Sequence, residues 1–413
     1  MSKLNDLITK LCPDGVPYKP MWAITTWDKK FNGVDKKKQP AINKHHYYLA
    51  KELEPLIVPN GDIKVLTTSP SDLYTTTELA KDNIKDGEII AIPWGGNAIV
   101  QYYNGKYITS DNRIAIVNDT KQLKCKFLYY VLKNREKELA KYYRGAGIKH
   151  PNMFKVLHME IPVPPLPVQE EIVRILDSFT ELEAELEAEL TDRKEQYEYY
   201  RDYLLDKNTL ERMDGKPAEM KKLGDICIRQ RGTRITAKQM KEIACVNGDI
   251  LIFGGGKTKV YAKKSDIPSK DIITCPSVVV KSRGNIGFEY CDVPFTHKSE
   301  LWSYSSNDEA VNIKFISYYL ENNRRFFQDA ANIGKLPQIS TGVTDNYNVP
   351  VPSLATQERV VDILDRFDAL TTSLTDGIPA EIAMRREQYE YYRSRLLDFP
   401  HLPDGSASVS DGE

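Results

Sequence analysis

IPVPPLPVQEEIVRILDSF at Ile161–Phe179 and VPVPSLATQERVVDILDRF at Val349–Phe367 are two copies of one segment. They align without a gap, and Ile161 stands opposite Val349. Equivalent residues of the two copies therefore differ in residue number by a constant, which we call the repeat offset. Further along, EQYEYY occurs identically at Glu195–Tyr200 and Glu387–Tyr392. Between the first segment and this motif, the second copy is four residues longer than the first. Identity spread over about forty residues is not a chance event, and a repeat of this kind defines the architecture. The 413-residue chain is therefore an internal duplication.

The repeat also extends upstream of these segments. KFLYYVL at Lys126–Leu132 matches KFISYYL at Lys314–Leu320 with the same repeat offset, and Tyr18–Ile24 resembles Met220–Ile226. DGEIIAI at Asp86–Ile92 resembles NGDILIF at Asn247–Phe253, which would make these two segments equivalent strands. Each half is therefore predicted to be a divergent globular domain followed by a conserved helix.

The charge of the chain alternates along its length, although the net charge is only −1. Residues 1–160 carry 25 Lys and Arg against 17 Asp and Glu, and residues 216–348 carry 20 against 14. Residues 161–215 carry 6 against 15, and residues 349–413 carry 6 against 12. Two basic blocks that alternate with acidic ones suggest two anion-binding domains, although acidic helices that are simply well solvated would show the same alternation.

These patterns define the predicted domain boundaries. We expect basic domains at 1–160 and 216–348, long helices at 161–215 and 349–400, and a flexible tail at 401–413. Each basic domain shows apolar runs typical of short strands and a later helical stretch. The predicted strands are Glu88–Ile92, Ile99–Tyr103, Ile114–Val117, Ile250–Phe253 and Ser277–Lys281, and the predicted helices are Phe127–Tyr143 and Ile313–Asp329. The fold class is therefore mixed α/β.

The general composition predicts a cytoplasmic protein. No run of eighteen apolar residues is present, and the first residues, MSKLND, lack the layout of a signal peptide. The six cysteines and six histidines are widely spaced, without a C-x-x-C pair. We therefore expect reduced thiols and no metal site.

Apolar residues in both helical segments recur at spacings of three and four and form a narrow seam along one helix face. The seam consists of Ile172, Ile175, Phe179, Leu182, Leu186, Leu190, Tyr197, Tyr200 and Leu204 in the first copy, and of Val360, Ile363, Phe367, Leu370, Leu374, Ile378, Ile382, Tyr389, Tyr392 and Leu396 in the second. A helix of about forty residues spans about 60 Å, and its seam needs a partner. We predict that the two seams pack antiparallel as a coiled coil, with the domains at opposite ends. Separate packing of each helix on its own domain is the alternative.

Two local features modify these helices. Gly377 and Pro379 predict an interruption in the second copy. The first copy contains a tandem tetrapeptide, EAEL, at Glu183–Leu186 and Glu187–Leu190. Four residues turn a helix by about 400° and lengthen it by about 6 Å, so a tetrapeptide changes length while the seam keeps its face.

Together these motifs resemble the specificity subunit of type I restriction–modification enzymes. The resemblance rests on the P-x-P-x-L-x-x-Q-E entries at Pro162–Glu170 and Pro350–Glu358, the EAEL tandem, the twin QYEYYR-x-x-LL ends and LCPDGV at Leu11–Val16. It covers essentially the whole chain, in the order domain, helix, domain, helix.

The resemblance implies two target-recognition domains, each of which reads one half of a split double-stranded DNA sequence. The paired helices would set the spacer and dock methyltransferase subunits, two being expected, while restriction subunits join for cleavage. S-adenosylmethionine, ATP and Mg²⁺ are expected on those partners and no cofactor on this chain. Tetrapeptide number is associated with spacer length in such families, and a length of about 6 Å corresponds to at most about two base pairs.

The sequence offers no convincing catalytic motif. GGGKT at Gly254–Thr258 has Leu251 where a P-loop requires glycine, and no G-x-G-x-x-G lies between a predicted strand and helix. The Asn- or Asp-Pro-Pro-aromatic motif of amino-methyltransferases is also missing from the sequence. We therefore predict a non-catalytic subunit. A self-contained methyltransferase or nuclease, and a coiled-coil scaffold without a DNA role, are the alternatives.

DNA contacts require basic and polar side chains on loops that enter a groove. The predicted DNA-binding candidates are Lys36, Lys37, Lys38, Arg144 and Lys149 in the first domain, and Arg229, Arg231, Arg234, Lys257, Lys259, Lys281 and Arg283 in the second. Helix pairing and subunit docking are assigned to the seam residues Ile175, Phe179, Leu182, Leu186, Leu190, Tyr197, Tyr200 and Leu204 of the first copy and Ile363, Phe367, Leu370, Leu374, Tyr389, Tyr392 and Leu396 of the second. A basic run can also be a solvated surface without a ligand, so these assignments are candidates.

Overall fold

The computed structural model describes residues 2–332, 336–373 and 375–403. The chain divides into two compact units. Unit 1 comprises Met1–Glu185 and Ile382–Glu413, and unit 2 comprises Leu186–Glu381. No helix within the described ranges is long and apolar enough to cross a membrane.

Unit 1 combines short helices with a main sheet of six strands. Its helices are α1 (Ser2–Leu11), α2 (Met21–Ile24), α3 (Ala50–Leu53), α4 (Thr77–Ala80), α5 (Cys125–Asn134), α6 (Glu136–Ala140) and α7 (Met153–Leu157). Its strands are β1 (Tyr18–Pro20), β2 (Thr25–Trp27), β3 (Ile63–Leu66), β4 (Tyr74–Thr75), β5 (Lys85–Pro93), β6 (Gln101–Thr109), β7 (Asn112–Val117), β8 (Tyr143–Arg144), β9 (His150–Pro151) and β10 (Glu160–Pro162). Helix α8 (Leu166–Leu204) begins in unit 1 and ends in unit 2.

Unit 2 contains the second copy of the same elements. Its helices are α9 (Lys207–Asp214), α10 (Leu223–Ile226), α11 (Ala237–Glu242), α12 (Ile313–Asn322), α13 (Arg324–Asp329), α14 (Thr341–Asp345) and α15 (Leu354–Thr372). Its strands are β11 (Glu219–Lys222), β12 (Ile228–Arg231), β13 (Ile250–Phe253), β14 (Lys259–Ala262), β15 (Ser277–Lys281), β16 (Gly287–Cys291), β17 (Phe295–His297), β18 (Trp302–Ser305) and β19 (Asn348–Val351). Helix α16 (Ile378–Leu396) begins in unit 2 and ends in unit 1.

The main sheet of unit 1 has the strand order β2-β7-β5-β6-β3-β4, with β3 parallel to β6 and the other pairs antiparallel. Its central strand β5 ends in the buried apolar run Ile89–Ile92, as expected for a strand covered on both faces. Gly87 on β5 pairs directly with Gly105 on β6, and both have φ in the left-handed region, 139° and 133°. Glycine adopts this conformation without a Cβ penalty, so the pair lets the two strands depart from regular geometry there.

Unit 2 distributes the equivalent strands over two sheets, ordered β12-β18-β15-β16 and β14-β13-β17. Strand β15 pairs with β16 and β18 in the same way as β5 pairs with β6 and β7. Helices α12 and α14 are the equivalents of α5 and α7, because their residue numbers differ by the repeat offset. The parallel pair of β13 and β17 corresponds to that of β3 and β6. The duplication therefore holds at the level of strand pairing, which confirms the predicted mixed α/β fold and internal repeat.

One predicted equivalence is wrong. Asp86–Ile92 lies in β5, whereas Asn247–Phe253 ends in β13, which corresponds to β3 by its parallel pairing. The true counterpart of β5 is β15, which follows it by the same repeat offset as the helices. Short apolar strands resemble one another, since burial selects the same few β-branched and aliphatic residues, so seven residues were too few to identify the partner.

The helix predicted near the end of each basic domain is broken in the structure, and the two breaks lie at the same position of the repeat. The predicted helices Phe127–Tyr143 and Ile313–Asp329 are each divided in two, at Arg135 and at Asn323, which is the same position of the repeat. The backbone angles there, φ −100° and ψ 18° for Arg135 and φ −93° and ψ 17° for Asn323, depart from the helix. The apolar periodicity continues across this break, which is why the sequence pattern did not reveal it. Strand β6 also begins two residues later than predicted.

The conserved segments form one long helix and two shorter ones. Helix α8 is continuous over 39 residues, about 60 Å at about 1.5 Å per residue. The second copy is interrupted as predicted, because α15 ends at Thr372 and α16 begins at Ile378. Gly377 lies in this break, where an added Cβ would fall 2.6 Å from the carbonyl oxygen of Ala369.

The seams of the two copies pack on each other inside each unit. In unit 1, Phe179 of α8 stacks on Tyr392 of α16, with ring centroids 5.6 Å apart. In unit 2, Phe367 of α15 stacks on Tyr200 of α8, with centroids 5.5 Å apart. Each phenylalanine near the start of one copy thus meets a tyrosine near the end of the other, which confirms the antiparallel pairing of the seams.

Burial along the seam is uneven. Ile172 and Leu204 are buried, Phe179 and Tyr197 are half-buried, and Tyr200 is 42% exposed. The remaining first-copy positions are buried or half-buried, and in the second copy Leu370 is 37% exposed, while Leu374 lies outside the described residues. Leu176 and Leu364, which the predicted seam omitted, are fully buried in the cores of their units.

Candidate nucleic-acid interface

A buried glutamine attaches each conserved helix to its domain in the same way. The side-chain oxygen of Gln169 accepts a hydrogen bond from the backbone of Lys124, and its amide donates to the carbonyl oxygens of Gln122 and Pro164. Gln357 makes the three equivalent bonds, to Asn312, Ala310 and Pro352. Both side chains are fully buried and every partner is displaced by the repeat offset, so the duplication reproduces this anchor atom by atom.

A carboxylate on each helix forms a second repeated contact. Asp177 accepts hydrogen bonds from Lys126 at 2.8 Å and from Tyr130 at 2.5 Å. In the second copy, Asp365 accepts from Lys314 at 2.7 Å and from Tyr318 at 2.6 Å. Burial, and then the neighbouring carboxylate, raise the pKa of both tyrosines far above the usual value. Their hydroxyls therefore stay protonated and tie α5 to α8 and α12 to α15.

One end of the unit 1 sheet gathers an aromatic ring and several cations. Trp94 follows β5, and the Lys29 ammonium lies 4.7 Å from the centre of its ring. The Arg113 guanidinium lies 5.0 Å from the same ring and is paired with buried Asp28 at 3.0 Å. Burial, and then Arg113, lower the pKa of Lys29, whose side chain reaches the surface. Arg113 is buried against the ring, whereas Lys29 is exposed to solvent.

The tip loop of unit 1, residues 144–150, lies against this ring. Strands β8 and β9 form its base through the pairing of Arg144 with His150. The backbone N–H of Gly96 donates to the carbonyl oxygen of Lys149 at 2.9 Å, and His150 donates through Nδ1 to that of Trp94 at 2.6 Å. The loop therefore holds Arg144 and Lys149, both predicted candidates and both exposed, at the end of the sheet.

In unit 2, backbone contacts gather several loops at one edge. Thr233 N–H donates to the carbonyl oxygen of His297 at 2.8 Å, and Lys298 N–H donates to that of Phe253 at 2.9 Å. The hydroxyl of Ser282 donates to the carbonyl oxygen of Glu300 at 2.7 Å. These contacts tie the loops that follow β12 and β15 and the end of β13 to residues 297–300, at the end of β17 and just after it. The exposed predicted candidates are Arg231 at the end of β12, and Arg234, Lys257 and Arg283 on the loops that follow β12, β13 and β15.

Other predicted candidates have partners inside the protein. Arg229 forms an ion pair with Asp345, and Glu289 accepts from both Lys259 and Lys281. The Lys38 ammonium lies 3.0 Å from Nε2 of His158 and above the ring of Trp22. These contacts give the four cations a structural role, and their assignment to DNA stays a prediction.

Lys36 and Lys37 lie on a single exposed turn of 3₁₀ helix, Lys36–Lys38, capped by the Asp35 carboxylate. The structure does not connect this turn to the tip loop of unit 1 through any described contact. Lys38, the last residue of the turn, lines a small pocket together with Lys29, so the turn lies next to the cation beside Trp94.

The sequence missed Trp94, Lys29 and the role of Arg113, because none of them stands in a dense basic run. The only signal was the glycine pair Gly95–Gly96 after an apolar strand, a pattern typical of a tight turn. Gly96 has φ 107° and its counterpart Gly284 has φ 75°, so both turns require glycine at the same position of the repeat.

The glycine-rich segment Gly254–Thr258 is the turn of a hairpin between antiparallel β13 and β14. Its Gly254 N–H donates to the carbonyl oxygen of Thr258 at 2.8 Å. A phosphate-binding P-loop leads from a strand into a helix N-terminus, so this segment does not have that geometry. Across the part of the chain that the structure describes, no three His, Cys, Asp or Glu side chains are grouped to hold a metal ion.

Comparisons with known proteins agree with this arrangement. The family model described as the type I restriction modification DNA specificity domain matches the chain twice, at residues 26–193 and 215–384. The specificity subunit of the Escherichia coli type I restriction enzyme EcoR124I/EcoR124II is 33% identical over 307 residues, which cover 68% of this chain and 72% of that protein. A putative type I restriction enzyme specificity subunit of Haemophilus influenzae is 29% identical over 342 residues, covering 76% and 83%.

Among solved structures, the S subunit of a type I restriction–modification system from M. genitalium has a TM-score of 0.60 at 16% identity, covering 93% of this chain and 96% of that one. This similarity concerns the fold. The family model covers both units and most of the chain, and it matches the repeat found in the sequence and in the strand pairing. The chain belongs to the family of type I restriction–modification DNA specificity proteins.

Proposed function

We propose that this chain is the non-catalytic specificity subunit of a cytoplasmic type I restriction–modification complex and recognises a bipartite DNA sequence. Each unit would read one half-site through its basic loops, and the paired helices would set the spacer. The carrying observation is that the two units share equivalent contacts, related by the repeat offset, while their basic loops differ. Because the two copies share a scaffold but differ in their basic loops, we expect them to bind two different ligands of the same chemical class.

In unit 1 the proposed DNA surface consists of Lys29, Arg144 and Lys149 near the ring of Trp94. In unit 2 it consists of the loops that carry Arg231, Arg234, Lys257 and Arg283. Exposed cations of this kind neutralise phosphates, and loops at a sheet edge can reach base edges in a groove.

The helices have a second proposed role as docking sites for methyltransferase subunits. Tyr199 and Tyr391 occupy the same position of the two EQYEYY motifs and are 65% and 54% exposed. Neither ring is needed to fill a core, yet both copies keep it. Large exposed aromatics are enriched at protein interfaces, so we assign one methyltransferase to each motif, and two to the complex.

The reaction chemistry is assigned to the partners. S-adenosylmethionine would bind the methyltransferase subunits, and ATP and Mg²⁺ the restriction subunits that join them. The present chain would supply DNA binding and positioning only.

Mapping of methylated bases tests this function. The chain is co-expressed with a methyltransferase subunit encoded beside it, and methylated positions are mapped across the host genome. We expect one motif made of two short unrelated halves separated by a fixed gap. A continuous motif would contradict the proposal, as would methyl-donor turnover by the purified chain without a partner.

Salt dependence gives a second test. DNA binding by the complex should weaken with a log–log slope of about −0.9 per neutralised phosphate. Replacing Arg231, Arg234 and Arg283 by alanine should make this slope less steep, by about two to three units. Binding that does not depend on salt would instead favour a protein scaffold without a DNA role.

A further inference from the structure

Unit 2 contains a cavity of about 660 Å³, and none of the four cations of its proposed DNA surface lines it. The walls of the cavity come from α8, β16, α12 and α15. Three aromatic rings, those of Tyr197, Phe288 and Tyr290, form part of these walls, and the exposed side chain of Asp368 lies among them. A cavity of this size is large enough to receive a long side chain of another protein.

One difference between the two copies of the repeat opens this space. Ser317 of α12 lines the cavity, and its equivalent by the repeat offset is Tyr129 of α5. The ring centroid of Tyr129 lies 5.6 Å from that of Tyr102, which is the unit 1 equivalent of Tyr290. A serine leaves open the volume that a phenol ring occupies, so the position that is filled in unit 1 is hollow in unit 2.

The lining of the cavity is acidic. Four carboxylates line it against two cations: the carboxylates are those of Glu289, Glu321, Asp365 and Asp368, and the cations are Lys314 and Arg201. Glu321 stands where unit 1 has Lys133, a reversal of charge at one position of the repeat. An excess of negative charge in a concave site attracts cations.

Asp368 is the carboxylate that is left for a ligand. The carboxylates of Glu289, Glu321 and Asp365 each form an ion pair with a basic side chain of unit 2. No side chain or backbone group within the described ranges pairs with the carboxylate of Asp368. Burial, and then the charge of Asp368, raise the pKa of the Tyr197 hydroxyl, so this carboxylate lies close to the aromatic wall. A carboxylate beside an aromatic ring suits a cation, because ion pairing and cation–π attraction then act on the same group.

We propose that this cavity receives a lysine or arginine side chain of one methyltransferase subunit, and that the filled position of unit 1 makes no such contact with the other. The inference rests on the proposed docking of two methyltransferase subunits. Tyr197 and Arg201 of the cavity wall belong to the QYEYYR motif of α8, whose exposed Tyr199 carries the proposed docking role. The two subunits would therefore bind with different affinities, although the motifs on which they dock are the same.

The experiment measures assembly of the full chain with the methyltransferase subunit encoded beside it, by isothermal titration calorimetry at fixed salt. Ser317→Tyr fills the cavity with the side chain that unit 1 carries at this position. We expect one of the two binding steps to weaken about tenfold, while the other keeps the wild-type Kd.

Substitutions of Asp368 test the charge without filling the cavity, and they keep the inference testable should Ser317→Tyr fail to fold. Asp368→Asn should weaken the same step about fivefold, and Asp368→Lys should weaken it further because like charges then meet. Asp362→Asn removes a carboxylate from an exposed position of the same helix, where it pairs with Arg366, and should leave both steps unchanged. Urea midpoints of the free variants show that each is folded.

Several results would overturn the inference while leaving the proposed function intact. One is a folded Ser317→Tyr or Asp368→Lys chain that binds both methyltransferase subunits as tightly as the wild type. Another is a Ser317→Tyr chain that loses affinity only for a restriction subunit, which would assign the cavity to that partner. A wild-type chain that binds no methyltransferase subunit would instead refute the proposed function itself, so the two failures are distinguishable.

Discussion

At the scale of single residues, buried polar groups fix the conserved helices to their domains. Gln169 and Gln357 each bond one backbone N–H and two backbone carbonyl oxygens, of which those of Pro164 and Pro352 would otherwise be buried without a partner. An unsatisfied buried backbone group costs about 1–3 kcal/mol. The glutamine in the P-x-P-x-L-x-x-Q-E entry is therefore a structural requirement of the fold, although the motif alone suggested only a helix start.

The substitution Gln357→Ala tests this anchor. We expect a loss of about 3 kcal/mol in the free energy of unfolding, because three hydrogen bonds disappear and the carbonyl oxygen of Pro352 stays buried. Urea denaturation followed by circular dichroism measures the change. Glu358→Ala alters the exposed neighbouring residue and should shift stability by less than about 0.5 kcal/mol. Equal effects of the two substitutions would contradict the anchor.

Glu171 gives unit 1 a pH-dependent contact that unit 2 lacks, since the equivalent position holds Arg359. Hydrogen bonds from Arg174 and from Lys3 lower the pKa of Glu171 to about 2, against a usual value of 4.5. The contact therefore stabilises the folded state fully above pH 4.5, and this contribution is lost as the pH falls toward 2.

Glu171→Gln should be less stable than the wild type at pH 7, and the difference should shrink as the pH falls from 4.5 toward 2. Urea midpoints at pH 7, 5, 4 and 3.5 give the comparison. Glu170→Gln, at an exposed position, is the matched control. A difference that is constant over this range would show that ionisation of Glu171 is not the cause.

At the scale of elements, the helices are held together by aromatic pairs from opposite ends of the repeat. Apolar spacing in the sequence was sufficient to identify the helices and their antiparallel pairing, and Gly377 with Pro379 was sufficient to identify the interruption. It was not sufficient to find the breaks at Arg135 and Asn323 or the partner of β5, because periodicity and short apolar runs do not specify tertiary contacts.

Phe367→Ala should destabilise the pairing in unit 2. A half-buried phenylalanine that stacks on Tyr200 and lies near Tyr197 contributes about 2 kcal/mol, less than the value for a fully buried ring. Differential scanning calorimetry of the full chain without its partner subunits measures the shift in Tm, so that loss of a bound partner does not contribute. Tyr199→Ala removes a similar but exposed ring and should leave Tm within about 1 °C. Loss of methyltransferase binding in that variant would support the docking role.

Insertion of one EAEL unit after Leu190 tests the spacer. The insertion turns the helix by about 400° and lengthens it by about 6 Å, so the seam keeps its face and only the gap of the recognised motif should lengthen, by at most about two base pairs. Insertion of two residues, Glu-Ala, turns the seam by about 200° and should abolish modification. Genome-wide methylation mapping gives the result, and altered half-sites in the EAEL variant would refute the spacer role.

At the scale of the whole molecule, each unit has its own cores and its own proposed DNA surface. The cores of unit 2 are built from its own strands together with the end of α8 and the start of α15. Replacing residues 216–348 by the equivalent residues of a relative with a different sequence preference should therefore change one half-site and leave the other half-site and the gap intact. Methylation mapping measures the motif that the exchanged chain recognises. Changes in both half-sites would contradict the proposal that each unit recognises its own half-site.

The amino-acid sequence by itself determined the duplication, the two acidic helices and the two basic domains, because identical segments and three-four spacing are properties of the linear order. Only the tertiary structure showed which cations are already paired inside the protein, since Asp345 and Glu289 are remote in sequence from Arg229 and Lys259. Pairing of charges and exposure of side chains depend on which strands become neighbours, and short strands with similar composition do not encode that choice locally.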